Sequence, residues 1–195
     1  MKSNDGDRRV RRTRATLNDA LIALLRERRY DDITVQDILD RANIGRSTFY
    51  SHFYDKDDLL LNGFGRLSAL FHAQPNAAEC FSLAFFQHTA QHKAEYHALV
   101  GSAGGEQLLR QVEQFLAQQL ALRIEPLLPS AAPAPELREL ATTHCVRTLF
   151  EMMVWWFGLP QPCSVAQLSA LYQSLVLPGV SELLGVERAR LAAVL

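Results

Sequence analysis

The segment from Thr34 to Lys56 constrains the fold of this 195-residue chain more than any other part of its sequence. It begins with an apolar stripe at helical spacing, formed by Val35, Ile38, Leu39 and Ala42. Thr34 can cap this helix, because its hydroxyl can accept the amide hydrogen of Asp37 while the Asp37 carboxylate bonds back. Asn43 tolerates the left-handed conformation that ends a helix, and Gly45 can start another. The segment therefore predicts two short helices around a tight turn.

The second of these helices presents polar groups on its outer faces. Phe49 and Phe53 are four residues apart, and we expect both to point inward. The remaining faces then carry hydrogen-bonding side chains, namely Arg46, Ser47, Thr48, Tyr50 and His52. This layout is typical of a DNA-reading element, although the solvated surface of any small helical pair would give a similar pattern.

The same run resembles the helix-turn-helix of the tetracycline-repressor-like (TetR) family of bacterial regulators. This chain departs from the family pattern at Asn43, where the family has Gly, and at Ile44, where it has Val. Both substitutions preserve the backbone conformation and the side-chain volume that the family pattern requires. The resemblance extends upstream over the predicted helix from Thr13 to Arg29 and ends near Leu61. It implies an all-α fold, with an N-terminal three-helix helix-turn-helix DNA-binding domain and a larger helical ligand-binding and dimerisation domain.

The resemblance also implies which residues contact double-stranded DNA. Four residues are expected to hold phosphates: Thr34, Tyr50, His52 and Lys56. Gly45 opens the recognition helix, and the residues that follow it and face base edges are Arg46, Ser47 and Thr48. Arg46 can bond guanine through two parallel hydrogen bonds.

A basic run precedes the first predicted helix. Between Arg8 and Arg14 there are five arginines and no acid, whereas the formal net charge of the chain is only −1. A basic run is usually a solvated tail, but one that leads into a DNA-reading element can lie along phosphates or enter the minor groove. We therefore assign Arg12 and Arg14 to the DNA-binding surface. The predicted organisation is a flexible basic tail over 1–10, the DNA-binding domain over 11–56 and the helical ligand-binding and dimerisation domain over 57–195.

Beyond the DNA-reading segment the patterns predict helices and no strand. The predicted helices cover 55–71, 77–92, 94–100, 106–124, 135–157 and 165–184. Breaks are expected at 101–105 and at 125–135, where four prolines favour a flexible loop. Met152 to Ser181 contains no charged residue, but Gly158 and two prolines interrupt it, so neither part provides the ~20 apolar residues of a membrane span. No membrane partner is predicted.

The last two long helices predict a homodimer. The sequence from Val146 to Phe157 is apolar on nearly every side, and such a helix must be covered all round. Two such helices paired with their symmetry mates form a four-helix bundle, which the TetR resemblance also implies. The residues assigned to the interface are Trp155, Leu168, Leu171, Tyr172 and Leu175. The alternative is a monomer that buries both faces internally.

The larger domain is rich in aromatic residues that could line a cavity for a small-molecule effector. Most of them are expected to be plain core. The candidates for ligand contact are Phe85, Tyr96, His144, Glu151, Met152 and Trp156. Glu151 could instead pair with Arg147 on the same helix. Few acids and no glycine-rich phosphate cradle lie in this part, so we expect an apolar, aromatic or acyl compound.

Signals for metal, redox or catalytic chemistry are weak. His88 and His92 share one face of a helix, but a metal would need further ligands, and nothing in the sequence brings His97, His144 or Cys145 to them. Three cysteines in no close-spaced framework are typical of reduced thiols in a cytoplasmic protein. The Gly101–Gly105 stretch lacks the framing of a phosphate loop or a nucleophile elbow. No metal, no cofactor and no enzyme activity are predicted.

These patterns predict a cytoplasmic transcriptional regulator, with repression of a palindromic operator by a dimer and release by a small molecule as the leading hypothesis. A ligand changes DNA binding only if its affinity differs between the two conformations of the regulator, which differ in the spacing of their recognition helices. Two alternatives stay open: a DNA-binding regulator that is ligand-independent or controlled by a partner, and a metal-responsive sensor or helical enzyme that carries a DNA-binding head.

Overall fold

The computed structural model of the chain describes residues 3–63, 80–160 and 162–195. In these ranges the chain forms helices and no strand, which confirms the predicted all-α fold. The helices are α1 (Ser3–Leu25), α2 (Val35–Ala42), α3 (Arg46–Tyr50), α4 (described over 56–63), α5 (Phe81–Gln91), α6 (Lys93–Leu99), α7 (Ala103–Ile124), α8 (Pro135–Phe157), α9 (Val165–Leu184) and α10 (Arg188–Ala192). None of the helices in the described part of the chain has the length and apolar content needed to cross a bilayer.

The predicted bounds of α8 and α9 coincide with those of the structure because their ends carry strong local signals. Pro135 occupies the start of α8. Ser164 and Gln167 form a reciprocal capping box at the start of α9, and Gly185 ends that helix in the left-handed conformation with φ 66°. The predicted helix ends at 71 and 77 lie outside the described residues.

The N-terminal region differs from the prediction. Helix α1 begins at Ser3, so the arginines between Arg8 and Arg14 lie within a helix. Arg11 lies 3.4 Å from the Asp7 carboxylate one turn earlier, a spacing at which helical ion pairs form. The prediction of a tail over 1–10 rests on the run of arginines, because a basic run is usually solvated.

The chain divides into two compact units. Their boundaries differ from the predicted single domain boundary after residue 56. The first unit comprises residues 1–66 together with 94–109, and the second comprises 67–93 together with 110–195. Helix α6 and the first turns of α7 therefore group with the DNA-reading segment. Their attachment depends on ion pairs and hydrogen bonds between residues about seventy positions apart in the chain, which local patterns do not reveal.

The core of the first unit lies beneath α2 and α3. Buried leucines of α1 form one stripe, consisting of Leu17, Leu21, Leu24 and Leu25. They pack in the same unit as Ile38 and Phe49, which are both completely buried. This burial fixes which faces of α2 and α3 remain in solvent.

The core of the second unit is aromatic. The rings of Phe85 and Phe150 lie 5.1 Å apart, and those of Phe86 and Tyr172 lie 6.3 Å apart. A buried polar contact joins α5 to α9, because the hydroxyl groups of Ser82 and Ser169 lie 2.9 Å apart. Hydrogen bonding satisfies both hydroxyls inside an apolar core.

Candidate nucleic-acid interface

Helix α2 is held at its start by the predicted capping box. The Asp37 amide donates to the Thr34 hydroxyl at 3.2 Å, and the Thr34 amide donates to the Asp37 carboxylate at 2.8 Å. Hydrogen bonds from the Thr34 hydroxyl and amide, with a further one from Arg28, lower the pKa of Asp37 to about 2. Asn43 ends the helix with φ 51°, as its left-handed tolerance predicts. The turn to α3 is therefore set from both sides.

Helix α3 is positioned by Phe49, which lies on it, and by Phe53, which follows it in the chain. Phe49 and Phe53 are buried, and their rings lie 5.9 Å apart. The Arg14 guanidinium lies 5.6 Å from the centre of the Phe53 ring, within the range of a cation–π contact. Gly45 is the N-cap of α3, and its carbonyl accepts the Thr48 amide at 3.0 Å. These contacts fix the rotation of α3 about its own axis.

That rotation exposes the polar residues that the sequence assigned to DNA. Arg46, Ser47, Thr48 and Tyr50 are exposed, as is Thr34, and His52 is half-buried. Arg12 and Arg14 are also exposed, on α1. Most of the predicted DNA-binding side chains therefore remain accessible on the first unit.

Lys56 lies in a more internal position than a simple phosphate contact requires. Its ammonium donates to the carbonyls of Tyr30 and Ile33, both at 2.8 Å, and lies 4.2 Å from the centre of the Tyr30 ring. The Tyr30 hydroxyl in turn bonds to Asp57. Burial, followed by the bond to Asp57, raises the pKa of Tyr30 well above its usual range. Lys56 thus ties the start of α4 to the 3-10 turn Tyr30–Asp32, and these two bonds use two of its three N–H groups.

Two exposed residues close in the chain to the predicted DNA-binding residues were missed by the sequence analysis. Gln36, on α2, accepts a hydrogen bond from the Arg46 guanidinium at 2.9 Å. Tyr54 follows α3 and is 90% exposed, which is unusual for an aromatic residue. The signal for Gln36 was its place on the outer side of the α2 stripe. No sequence signal distinguished Tyr54 from an ordinary loop residue.

The same 3-10 turn also holds the start of α7. The Asp31 carboxylate accepts the amide hydrogens of Ala103 at 3.0 Å and of Gly104 at 3.2 Å. A side chain at residue 104 would meet Asp31, because a Cβ there would lie 2.9 Å from its carboxylate. A negative group at a helix N-terminus is favourable, so Asp31 acts as a cap donated by a distant segment.

The residues predicted to contact a ligand occupy different environments. Phe85 is completely buried in the aromatic core, whereas His144 and Glu151 are exposed on α8. Trp156 is half-buried, and its indole N–H donates to the Cys163 carbonyl at 2.9 Å. Met152 is half-buried on the same helix. Tyr96 belongs to the first unit, where burial raises the pKa of its hydroxyl.

Arg147 does not pair with Glu151, the partner that its spacing suggested. It lies 4.0 Å from the Glu113 carboxylate on α7 instead. Burial raises the pKa of Glu113, and Arg147 opposes that shift. Glu151 consequently remains on the exposed side of α8.

The five residues predicted for a dimer interface separate into two groups. Trp155, Leu171 and Leu175 are 48%, 46% and 69% exposed. Leu168 and Tyr172 are completely buried inside the chain, and the Tyr172 hydroxyl donates to the Cys145 carbonyl at 3.1 Å. The prediction is corrected for these two residues. They share the helical spacing of the others but lie on the inward face of α9.

The histidine pair predicted on one helix face is present. The rings of His88 and His92 lie 4.5 Å apart. Within the described ranges, no three His, Cys, Asp or Glu side chains converge as a metal site would require. The pair alone therefore gives no support to the metal-sensor alternative.

Comparisons with known proteins agree with this geometry. Residues 17–62 match the profile of a family described as bacterial regulatory proteins, tetR family. Over 60 residues the chain is 45% identical to an uncharacterised HTH-type transcriptional regulator, YxbF of Bacillus subtilis. That match covers 30% of this chain and only 16% of the relative.

Solved structures extend the likeness over the rest of the chain. A TetR transcriptional regulator from Streptococcus agalactiae is 25% identical, covers 90% of this chain and 99% of its own, and gives a TM-score of 0.63. RolR in complex with the ligand resorcinol is 18% identical, covers 96% of this chain and 95% of its own, and gives a TM-score of 0.53. At that identity the second match shows a shared fold.

Proposed function

Since this chain belongs to the TetR family of transcriptional regulators and carries its helix-turn-helix DNA-binding domain, we propose that it is a cytoplasmic repressor that binds a palindromic operator as a dimer. Its function class is transcription regulation and not catalysis. The observation that carries the proposal is the exposed polar face of α3, which the buried Phe49 and Phe53 hold outward.

The proposed reading of DNA divides the site by chemistry. Ser47 and Thr48 face base edges together with Arg46, whose fork matches the two acceptors of guanine. Exposed hydroxyls and cations around them hold phosphates, which position the head without reading sequence. The helical arginines Arg12 and Arg14 add to the phosphate contacts of the same head. Because these two arginines are part of a helix, they contact the DNA backbone and do not act as an extended arm.

The proposed dimer uses the outer face of α8 and α9. On α9 that face combines the exposed Leu171 and Leu175 with small or compact residues, namely Ala170, Ser174, Pro178 and Gly179. A Cβ added at Gly179 would meet nothing within 4 Å, so the chain itself leaves this position open. Large apolar residues beside small ones allow two helices to approach closely. A two-fold axis through this face would present two heads to a palindrome.

The proposed effector is a small apolar compound held by the second unit. RolR, a protein of the same fold, is described with resorcinol bound, so this fold can hold a small aromatic ligand. Met152 and Trp156 are half-buried and provide apolar and aromatic surface within the second unit, whereas Phe85 is completely buried in its core. Lys93 adds a cation near Trp156, at 6.0 Å from its ring. A mostly apolar aromatic compound that carries one hydrogen-bond acceptor would satisfy both features.

The proposed release mechanism passes through the 3-10 turn Tyr30–Asp32. Lys56 at the start of α4 and the amides at the start of α7 both bind this turn, which directly precedes the Thr34 cap of α2. Residues 110–124 of α7 belong to the second unit. A ligand that displaces α4 or α7 would therefore move the recognition helices away from the ~34 Å separation of successive major-groove faces.

A ligand screen tests the effector and the release together. A library of apolar aromatic and acyl compounds is screened for a rise in melting temperature, and each hit is assayed for loss of operator binding. A compound that favours the released state must do both, because its binding energy is coupled to the conformational change. If no compound changes operator affinity while the protein binds DNA specifically, regulation without a ligand replaces this proposal.

A further inference from the structure

A hydrogen bond between the side chains of Gln36 and Arg46 connects the two helices of the DNA-reading element. Gln36 lies in the first turn of α2, whereas Arg46 is the first residue of α3. The Nη2 group of Arg46 donates to the Gln36 Oε1 atom at 2.9 Å. Both residues are exposed, on the surface that also carries Ser47 and Thr48. The contact therefore acts on a side chain that faces DNA.

Asp40 determines which end of the Gln36 amide meets Arg46. The Gln36 Nε2 group donates to the Asp40 carboxylate at 2.8 Å, one turn further along α2. An ionised carboxylate only accepts hydrogen bonds, so it selects the NH₂ end of the amide. The amide oxygen is left toward Arg46, which only donates. Asp40, Gln36 and Arg46 thus form a directional chain of hydrogen bonds.

We infer that Gln36 is a positioning residue that aligns Arg46 for reading guanine. The inference rests on the proposed role of Arg46 at base edges. A free arginine loses rotamer freedom when it binds, and holding it in place beforehand lowers that cost. Gln36 uses one of the five N–H groups of Arg46, so the others stay available for the two acceptors of guanine.

The test removes the acceptor while keeping the length of the side chain. The full-length wild-type and Arg46→Ala proteins are first used to select binding sites from random DNA, and the guanine whose preference Arg46→Ala loses is identified. Binding of wild type and Gln36→Met is then measured on that site with guanine or with 7-deazaguanine, which lacks one of the two acceptors. Discrimination between the two bases should fall about two- to tenfold in Gln36→Met.

A double-mutant cycle separates positioning from a structural effect. In the Arg46→Ala background, Gln36→Met should change affinity less than about twofold, because the residue through which Gln36 acts is absent. Asp40→Ala should give an intermediate loss of discrimination, since the amide can then turn. Gln87→Met is the matched control, because Gln87 is an exposed glutamine on α5, outside the DNA-reading segment.

Two results would overturn the inference while leaving the proposed function intact. One is that Gln36→Met discriminates between guanine and 7-deazaguanine as strongly as the wild type does. The other is an equal loss of affinity with and without Arg46. If melting shows that Gln36→Met is unfolded, Gln36→Ala is measured in the same cycle with the same criteria. A wild-type protein that selects no shared DNA sequence overturns the proposed function and this inference together.

Discussion

Arg26 donates two hydrogen bonds to a single carboxylate oxygen of Glu95, from Nε at 2.9 Å and from Nη2 at 2.7 Å. The Glu95 side chain is only 7% exposed, whereas that of Arg26 is 57% exposed. The pair fastens α6 to the end of α1 within the first unit. A carboxylate this deeply buried is costly unless a cation and hydrogen bonds compensate its charge.

Arg26→Ala is therefore expected to destabilise the protein more than Glu95→Gln. The first change leaves a buried carboxylate without this cation, while the second removes the charge and keeps an oxygen that accepts hydrogen bonds. We expect a loss of about 1 to 2 kcal/mol for Arg26→Ala, because its exposure weakens the pair. Urea unfolding measures the difference. Arg188→Ala, at an exposed position of α10, is the control, and equal stabilities of all three variants would contradict this expectation.

The low pKa of Asp37, about 2, predicts an acid-dependent contribution of the α2 cap. Because the folded value lies below the ordinary 3.8, the charged cap stabilises the protein above about pH 4 and is lost as the pH falls toward 2. Thr34→Ala should raise the Asp37 pKa toward its ordinary value, as followed by a carboxyl NMR titration. Thr34→Ser keeps the hydroxyl and should leave the pKa low. An unchanged pKa in Thr34→Ala would assign the shift to the backbone amide of residue 34 and to Arg28 instead.

Lys56→Ala is expected to affect folding as well as DNA binding. Loss of the two bonds to the Tyr30 and Ile33 carbonyls should lower the free energy of unfolding by about 1 kcal/mol or more. Loss of a phosphate contact should weaken all DNA sites alike and flatten the salt dependence of binding by about one unit. Unfolding and salt titration measure the two effects separately. Reduced stability with an unchanged salt slope would show that Lys56 supports the head without touching phosphate.

The double change Leu171→Glu and Leu175→Glu should give monomers that keep their helix content. Both side chains are exposed, so the charges cost little within one chain but repel their copies across a two-fold axis. Sedimentation at micromolar concentration and operator binding should both report the loss. Leu122→Glu, which replaces an exposed leucine of α7, serves as the control. A wild-type monomer at the same concentration would refute the interface assignment.

Local chemistry explains which parts of the fold the sequence predicts well. The Thr34–Asp37 box, the turn at Asn43 and the capped ends of α9 each depend on residues close in the chain. Faces of helices that are apolar on nearly every side are harder to assign. In the sequence of Val165 to Leu184, no pattern distinguishes the inward Leu168 and Tyr172 from the outward Leu171 and Leu175.

Long-range contacts limited the prediction of the site itself. The attachment of α6 and α7 to the DNA-reading segment depends on Arg26 with Glu95 and on Asp31 with the α7 amides. Neither contact leaves a local pattern, because the partners are about seventy residues apart. The internal bonds of Lys56 and the Gln36 contact to Arg46 likewise follow from how the elements pack.

The measurement that tests the account most directly is selection of binding sites from random double-stranded DNA by the full-length wild-type protein. We expect enrichment of one palindrome whose half-sites lie about one helical turn, or a multiple of it, apart, as two symmetry-related recognition helices require. Arg46→Ala should enrich a palindrome of the same spacing with a changed base preference. Selection that returns no shared sequence, or a single half-site without its inverted copy, would contradict the proposed dimeric operator-binding regulator.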